Sequence, residues 1–207
     1  MQSVPTKGST IRWARRYDLL VSTIMLGFEG RFRERQLNLA KLQPGERVLD
    51  VGCGTGTLAI AAKKRVGPTG TVTGVDAAAE MIERAMKKAG RARVDVTFQT
   101  AAAEQLPFAD GSFDVVLSSL MLHHLPRDTR AAGVREMHRV LRPGGRLLAV
   151  DFGRPSGAKK GFLARLHGHG GVDASALIAV ITESGFVVKE SGWAGKWDLQ
   201  YVLAGVP

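Results

Sequence analysis

Three glycines at alternate positions, set between a strand pattern and a helix pattern, constrain this chain more than any other feature of its 207 residues. The run Val48-Leu49-Asp50-Val51-Gly52-Cys53-Gly54-Thr55-Gly56-Thr57-Leu58-Ala59 begins as a buried strand, opens into a loop and resumes as an apolar helix. Gly52 and Gly54 lack the Cβ atoms that would block a ligand, and backbone amides near a helix N-terminus attract a carboxylate. A nucleotide-like cofactor can therefore lie against bare backbone. Twenty residues past Gly56, Gly74-Val75-Asp76 places an acid at the tip of a second strand, where it suits the two hydroxyls of a ribose. The spacing 52, 54, 56 is one residue shorter than the Gly-x-Gly-x-x-Gly of dinucleotide enzymes.

The rest of the chain alternates strand and helix patterns. Strands are predicted at Arg47–Val51, Val72–Val75, Val94–Phe98, Phe113–Ser118, Arg146–Asp151, Phe186–Lys189 and Leu199–Ala204. Helices are predicted over residues 11–42 (broken near Gly27 and Gly30), Thr57–Val66, Ala77–Ala89, Arg130–Leu141 and Asp173–Ser184, the fourth stopped by Pro143-Gly144-Gly145. This order predicts a single-domain α/β fold: a doubly wound, Rossmann-like, mostly parallel seven-stranded sheet with helices on both faces. Residues 1–42 read as a helical N-terminal cap and residues 43–207 as the ligand-binding domain. Such sheets bind ligands beyond the carboxyl ends of their strands, so Gly52 to Gly56, Asp76 and Ser118 should gather on one edge.

Composition narrows the class. Neither a signal-peptide core nor a run of about eighteen apolar residues is present, so no transmembrane helix is expected. Cys53 is alone, which excludes an internal disulfide and a thiolate-rich metal site and points to a reducing cytoplasm. The net charge of +10 is high. Part of it lies at Lys7, Arg12, Arg15, Arg16, Arg31, Arg33 and Arg35, interleaved with apolar residues, and part at Arg84, Lys87, Lys88, Arg91 and Arg93. The first cluster fits a solvated helix face, or an amphipathic helix lying peripherally on anionic membrane. Nucleic acid is a weaker alternative, since no recognition module accompanies the charge.

With these residues in place, the chain resembles the class I S-adenosylmethionine-dependent methyltransferases, from about Tyr17 to Phe152 and more loosely to Ala204. Three segments beyond the glycine loop carry the resemblance: Ala103-Glu104-Gln105-Leu106-Pro107-Phe108-Ala109-Asp110-Gly111-Ser112-Phe113-Asp114, Ser118-Ser119-Leu120-Met121-Leu122-His123-His124-Leu125, and Arg139-Val140-Leu141-Arg142-Pro143-Gly144-Gly145-Arg146-Leu147. Within the class it is most similar to the ubiquinone/menaquinone C-methyltransferase-like group, whose opening Tyr-Asp segment Arg16-Tyr17-Asp18-Leu19-Leu20 resembles. The resemblance implies S-adenosylmethionine as cofactor. Gly52, Gly54 and Gly56 would border its methionine part, Asp50 would orient the loop or reach the amino group, and Asp76 would take both ribose hydroxyls. Ala77 would lie under the adenine, Met81 would pack on it, and Ala103 would offer an amide to its edge. Ser118 would offer a carbonyl to the amino group and Tyr17 would close over the methionine end. Two departures stand out: Ala102 replaces an acid that many relatives have, and the segment from Gly153 to Val172 is short for an acceptor lid.

The expected activity is methyl transfer by in-line displacement onto a small-molecule or lipid-like acceptor: a quinone or aromatic carbon, a phospholipid amine, or a metabolite oxygen or nitrogen. No protein nucleophile is needed. His123 and His124 are the candidate general bases, with polar lining as the alternative. His167 and His169 read as a solvated loop rather than a metal site, and no metal is expected. Trp193 and Trp197 line an acceptor pocket or pack at an edge, and Phe28 and Phe32 read as a helix stripe. A non-catalytic S-adenosylmethionine-binding module is the alternative function.

Overall fold

The computed structural model describes residues 3–5, 29–154, 172–194 and 199–207. Strand β1 (Arg47–Val51) leads through the glycine loop into α2 (Thr57–Val66), following an earlier helix α1 (Glu29–Leu39). Then come β2 (Thr71–Asp76), α3 (Ala79–Ala92), β3 (Thr97–Thr100), β4 (Phe113–Ser119), a 3-10 turn (Leu122–His124), α4 (Arg127–Val140) and β5 (Leu141–Arg154). The chain closes with β6 (Val172–Asp173), α5 (Ala174–Glu183), β7 (Val187–Trp193) and β8 (Leu199–Gly205). The strand order is β3-β2-β1-β4-β5-β8-β7, with the two-residue β6 beside the end of β5. The first five of these neighbours run parallel, whereas β8 is antiparallel to both β5 and β7. This is the mostly parallel, doubly wound sheet expected, with its order reversing between β1 and β4.

Strand periodicity builds two cores. Val48, Val115, Leu117, Leu148, Val150 and Leu203 face the side covered by α1, α2 and α3. Their neighbours Leu49, Val51, Val116, Leu147, Ala149 and Val202 face α4 and α5. Successive side chains point to opposite faces, so central strands buried on both sides must be apolar throughout. Asp50 and Asp151, both buried, break that rule at the carboxyl ends of β1 and β5.

Boundaries differ from the sequence expectation where side chains or caps intervene. The third strand starts at Thr97 rather than Val94. Arg93 is left-handed (φ 51°), and the N–H groups of Arg93 and Val94 return to the carbonyls of Gly90 and Ala89, so these residues close α3. Helix α3 begins at Ala79 rather than Ala77, because Ala78 N–H is held by the Asp76 carboxylate. Its N-terminus is capped from far along the chain: Ala79 N–H donates to Ser3 Oγ at 3.1 Å, and Val4 N–H donates to Ala77 O. Pro143-Gly144-Gly145 was expected to separate helix from strand, yet Leu141 already pairs with Phe113 and regular pairing resumes at Arg146. The intervening residues form a bulge held by Val206, which accepts from Gly144 N–H and donates to Gly145 O. Within the predicted helix 11–42, residues 29–39 are helical and residues 6–28 lie outside the described residues.

The three loop glycines do different work. All have positive φ (73°, 53° and 78° at positions 52, 54 and 56). A Cβ at Gly56 would lie 2.7 Å from Phe98 Cζ and 2.9 Å from the Ala85 methyl, so this residue lets α2 approach β3 and α3. A Cβ at Gly54 would meet nothing within 4 Å. Gly56→Ala is therefore expected to lower stability by about 3 kcal/mol through strain plus overpacking. Gly54→Ala should cost only the left-handed penalty of about 1 kcal/mol. Denaturant unfolding of both variants checks this, and equal losses would count against the packing role of Gly56.

Candidate functional site

The loop between β1 and α2 is held to the end of β2 by backbone and side chain together. Gly52 and Cys53 N–H both donate to Val75 O, at 2.8 and 2.9 Å. Asp76 then bridges two segments: its Oδ2 accepts from Gly54 N–H at 3.0 Å and its Oδ1 from Ala78 N–H at 2.9 Å. Lys88, one of the basic cluster on α3, braces the start of α2 by donating to Thr55 Oγ1 and Thr57 Oγ1. Met121 lies against Gly52, where a Cβ would come within 2.3 Å of its Cγ.

Several buried polar groups face this edge without the partners burial demands. Asp50 is 1% exposed, and its Oδ2 has no hydrogen-bond partner among the described residues. Desolvation raises its pKa to about 7, opposed by the charge of Arg33 and reinforced by that of Asp76. Burial also raises Asp76, against the two N–H bonds that favour its ionised form. Ser118 Oγ and Thr100 Oγ1, at the ends of β4 and β3, are likewise buried with no hydrogen-bond partner among the described residues. Orphaned buried polar atoms are rare and mark a place for a ligand or ordered water. A polar ligand seated over open Gly54 and among these groups fits the cradle.

Other sequence-predicted residues fall around the same edge. Ala77 links Asp76 to α3, and Met81 is buried on the first turn of that helix. Ala103 packs against Gly133 of α4. The loop carrying it is clamped by Arg139, which donates to Leu106 O and Phe108 O, while Glu136 accepts from Leu106 N–H. Cys53 is buried and its thiol is pushed well above the usual range by desolvation, as a packing residue rather than a nucleophile requires. Tyr17, Phe28, His167, His169 and Trp197 lie outside the described residues.

The histidines separate into distinct environments. Past β4, Leu120 adopts φ 57°, held by its N–H bond to Val150 O, and redirects the chain into the 3-10 turn. His123 Nδ1 lies 2.6 Å from Asp151 Oδ1, and its backbone N–H donates to Asp151 Oδ2. Both side chains are almost fully buried, at 5% and 1% exposure. His124 stacks on His123 with ring centroids 3.9 Å apart. Asp151 was read only as the end of a strand; its burial in an apolar sheet, visible as Val150-Asp151-Phe152, was the available signal. Arg33, Gln36 and Ser119 were also missed. Gln36 Nε2 donates to Ser119 Oγ at 2.6 Å, and Arg33 Nη1 lies 3.3 Å from the same oxygen.

Comparison with known proteins identifies relatives of this chain. A methyltransferase-domain family matches residues 48–145. A ubiquinone/menaquinone biosynthesis C-methyltransferase of Bdellovibrio bacteriovorus is 39% identical over 141 residues, covering 68% of this chain and 59% of that protein. A demethylmenaquinone methyltransferase of Thermus thermophilus is 38% identical, covering 74% and 69% respectively. A SAM-dependent methyltransferase from Aquifex aeolicus shares the fold with a TM-score of 0.79 at 21% identity, over 96% of this chain and all of that one. The family match and these relatives thus define an S-adenosylmethionine-dependent methyltransferase domain. Within that class the chain belongs to the family of the ubiquinone/menaquinone C-methyltransferases, and it spans about three fifths of the Bdellovibrio relative's length.

The buried Asp50 carboxyl has a measurable signature. A carboxyl raised from 3.8 to about 7 by folding binds a proton that the unfolded chain has released. Its contribution to stability is therefore present below about pH 4 and is lost as pH rises to about 7. In cofactor-free protein, stability should fall by roughly 2–3 kcal/mol more in the wild type than in Asp50→Asn between about pH 5 and pH 8. Chemical denaturation across that range checks it. Parallel pH profiles would remove Asp50 from this account.

Proposed function

We propose that this protein transfers the methyl group of S-adenosylmethionine to a small, quinone-like acceptor, with His123 as the general base. The observation carrying the catalytic part is the contact between His123 Nδ1 and buried Asp151 at the carboxyl edge of β4 and β5. The acceptor class is supported by the names of the two quinone-pathway relatives, each more than a third identical over most of this chain.

Bound S-adenosylmethionine supplies an electrophilic methyl on a sulfonium centre. The chain's own residues supply binding, orientation and proton handling. Asp76 would accept from the ribose hydroxyls. Asp50 would receive the ammonium group, with the Ser118 carbonyl beside it. Gly54, where a Cβ would meet nothing within 4 Å, would leave room for the cofactor. Ala77 and Met81 would hold the adenine, and the Ala103 amide would serve its edge.

A reduced quinone ring becomes nucleophilic at carbon as its hydroxyl loses a proton; once that carbon carries the methyl group, its own hydrogen leaves as a proton and the hydroquinone re-forms. With Asp151 Oδ1 accepting a hydrogen bond from Nδ1–H of His123, the lone pair is left on Nε2, the nitrogen that would serve the acceptor. When Nε2 collects the hydroxyl proton, the carboxylate at 2.6 Å stabilises the imidazolium. The buried pair thus fixes both tautomer and direction, in the manner of an acid orienting a base.

Labelled S-adenosylmethionine with a short-chain demethylquinol tests the reading. Methyl label should appear on the quinone ring, and Asp76→Ala should abolish both binding and transfer. His123→Ala should lower kcat by about 100- to 10,000-fold while cofactor affinity holds within about threefold. Asp151→Asn should follow it in part, with a shifted pH–rate profile. Tight cofactor binding with no transfer to any quinol would instead favour a binding module or another acceptor. Unchanged turnover in His123→Ala would reject the base.

A further inference from the structure

We propose that Arg130 is a positioning residue for the His123 base: it grips the short turn that carries His123, so that Arg130 and Asp151 together hold the imidazole where Nε2 can serve the acceptor. The proposal rests on the reading of His123 as a general base. Arg130 lies near the start of α4, where the helix dipole disfavours a cation. Its neighbours Arg127 and Asp128 are exposed, whereas Arg130 is half-buried. A guanidinium withdrawn from water at the wrong end of a helix needs another cause for its place.

The cause is the turn. Arg130 Nε donates to Leu122 O and its Nη2 to Leu125 O, both at 2.9 Å. Those carbonyls bracket the 3-10 turn Leu122–His124. A single 3-10 turn is a weak element, and this one has no side-chain cap at its start. Its backbone is therefore held from outside. Asp151 takes the His123 N–H on Oδ2, and Arg130 takes the carbonyls on either side of it. The same two residues also act on each other through charge: desolvation lowers the Arg130 pKa, and the charge of Asp151 opposes that. Asp151 is buried, and its carboxylate accepts further from Phe152 N–H. Asp151 thus sets the rotation and tautomer of the ring through Nδ1, and Arg130 sets the backbone from which the ring hangs. A general base acts over hydrogen-bond distance, and a misplacement of about 1 Å costs roughly 100-fold in rate. A lysine would keep the charge, but one ammonium on a flexible stem does not reproduce the planar two-pronged fork.

The test combines kinetics with NMR of protein carrying isotope-labelled histidine, which reads the His123 ring without turnover. Wild-type protein should show His123 protonated at Nδ1 and bare at Nε2, signals identified by their loss in His123→Ala. Arg130→Met should shift or broaden those signals. It should also lower kcat on a short-chain demethylquinol by roughly 10- to 100-fold, with S-adenosylmethionine affinity held within about threefold. Arg130→Lys should recover part of both losses. In a His123→Ala background, Arg130→Met should cost less than about twofold more, since its effect runs through the ring. Wild-type-like His123 signals in Arg130→Met, or its full loss of rate repeated in the His123→Ala background, would overturn the proposal. Thermal unfolding reports whether each variant folds. Should Arg130→Met not fold, Arg130→Lys is read in its place, and wild-type signals and rate there would overturn the proposal equally. Unchanged turnover in His123→Ala would instead overturn the base reading, and the His123 signals of Arg130→Met then still decide whether Arg130 holds the ring.

Discussion

The ligand edge depends on one carboxylate, that of Asp76, which holds the amide of Gly54 with one oxygen and that of Ala78 with the other. The first bond sets the crest of the glycine loop against the end of β2. The second sets where α3 begins. A loop with three left-handed glycines has little conformational preference of its own, since glycine visits many backbone states. The Val75 carbonyl and the Asp76 side chain select one of them. The group read as the ribose ligand is therefore also the group that shapes the cradle before any ligand arrives.

Around that anchor, the two faces of the sheet divide the work. Asp50 and Ser119 point to the side covered by α1 and α2, where Arg33 and Gln36 meet them. Asp151 lies on the other side, where the turn after β4 brings His123 down onto it. The alternation of side chains along a strand makes this separation: Asp50 and Arg33 sit on one face and the His123–Asp151 pair on the other, with the carboxyl edge between them. The strand order reverses between β1 and β4, the place at which sheets of this kind take ligands. The apolar packing behind each face keeps these few polar groups in position.

The class of fold was readable from periodicity, and the strand–glycine turn–helix junction with its acid from the spacing of Gly52, Gly54, Gly56 and Asp76. Both are local signals, written within about thirty residues of one another. The starts of β3 and α3 were not readable, because capping by Arg93 and Asp76 decided them. The bulge at Pro143-Gly144-Gly145 was hidden for a similar reason: Val206, far along the chain, holds it.

What the sequence determined by itself was the α/β architecture, the glycine turn with its acid, and the histidine pair after β4. Each depends on neighbours in the chain, where spacing is geometry. Only the tertiary structure decided that His123 meets Asp151, and that Arg33 faces inward while Arg35 faces out. Those assignments join residues 28 to 158 positions apart. Nothing in local sequence distinguishes a buried charge with a partner from a solvated one. Burial and contact are made only when the sheet closes and α1 packs across its edge.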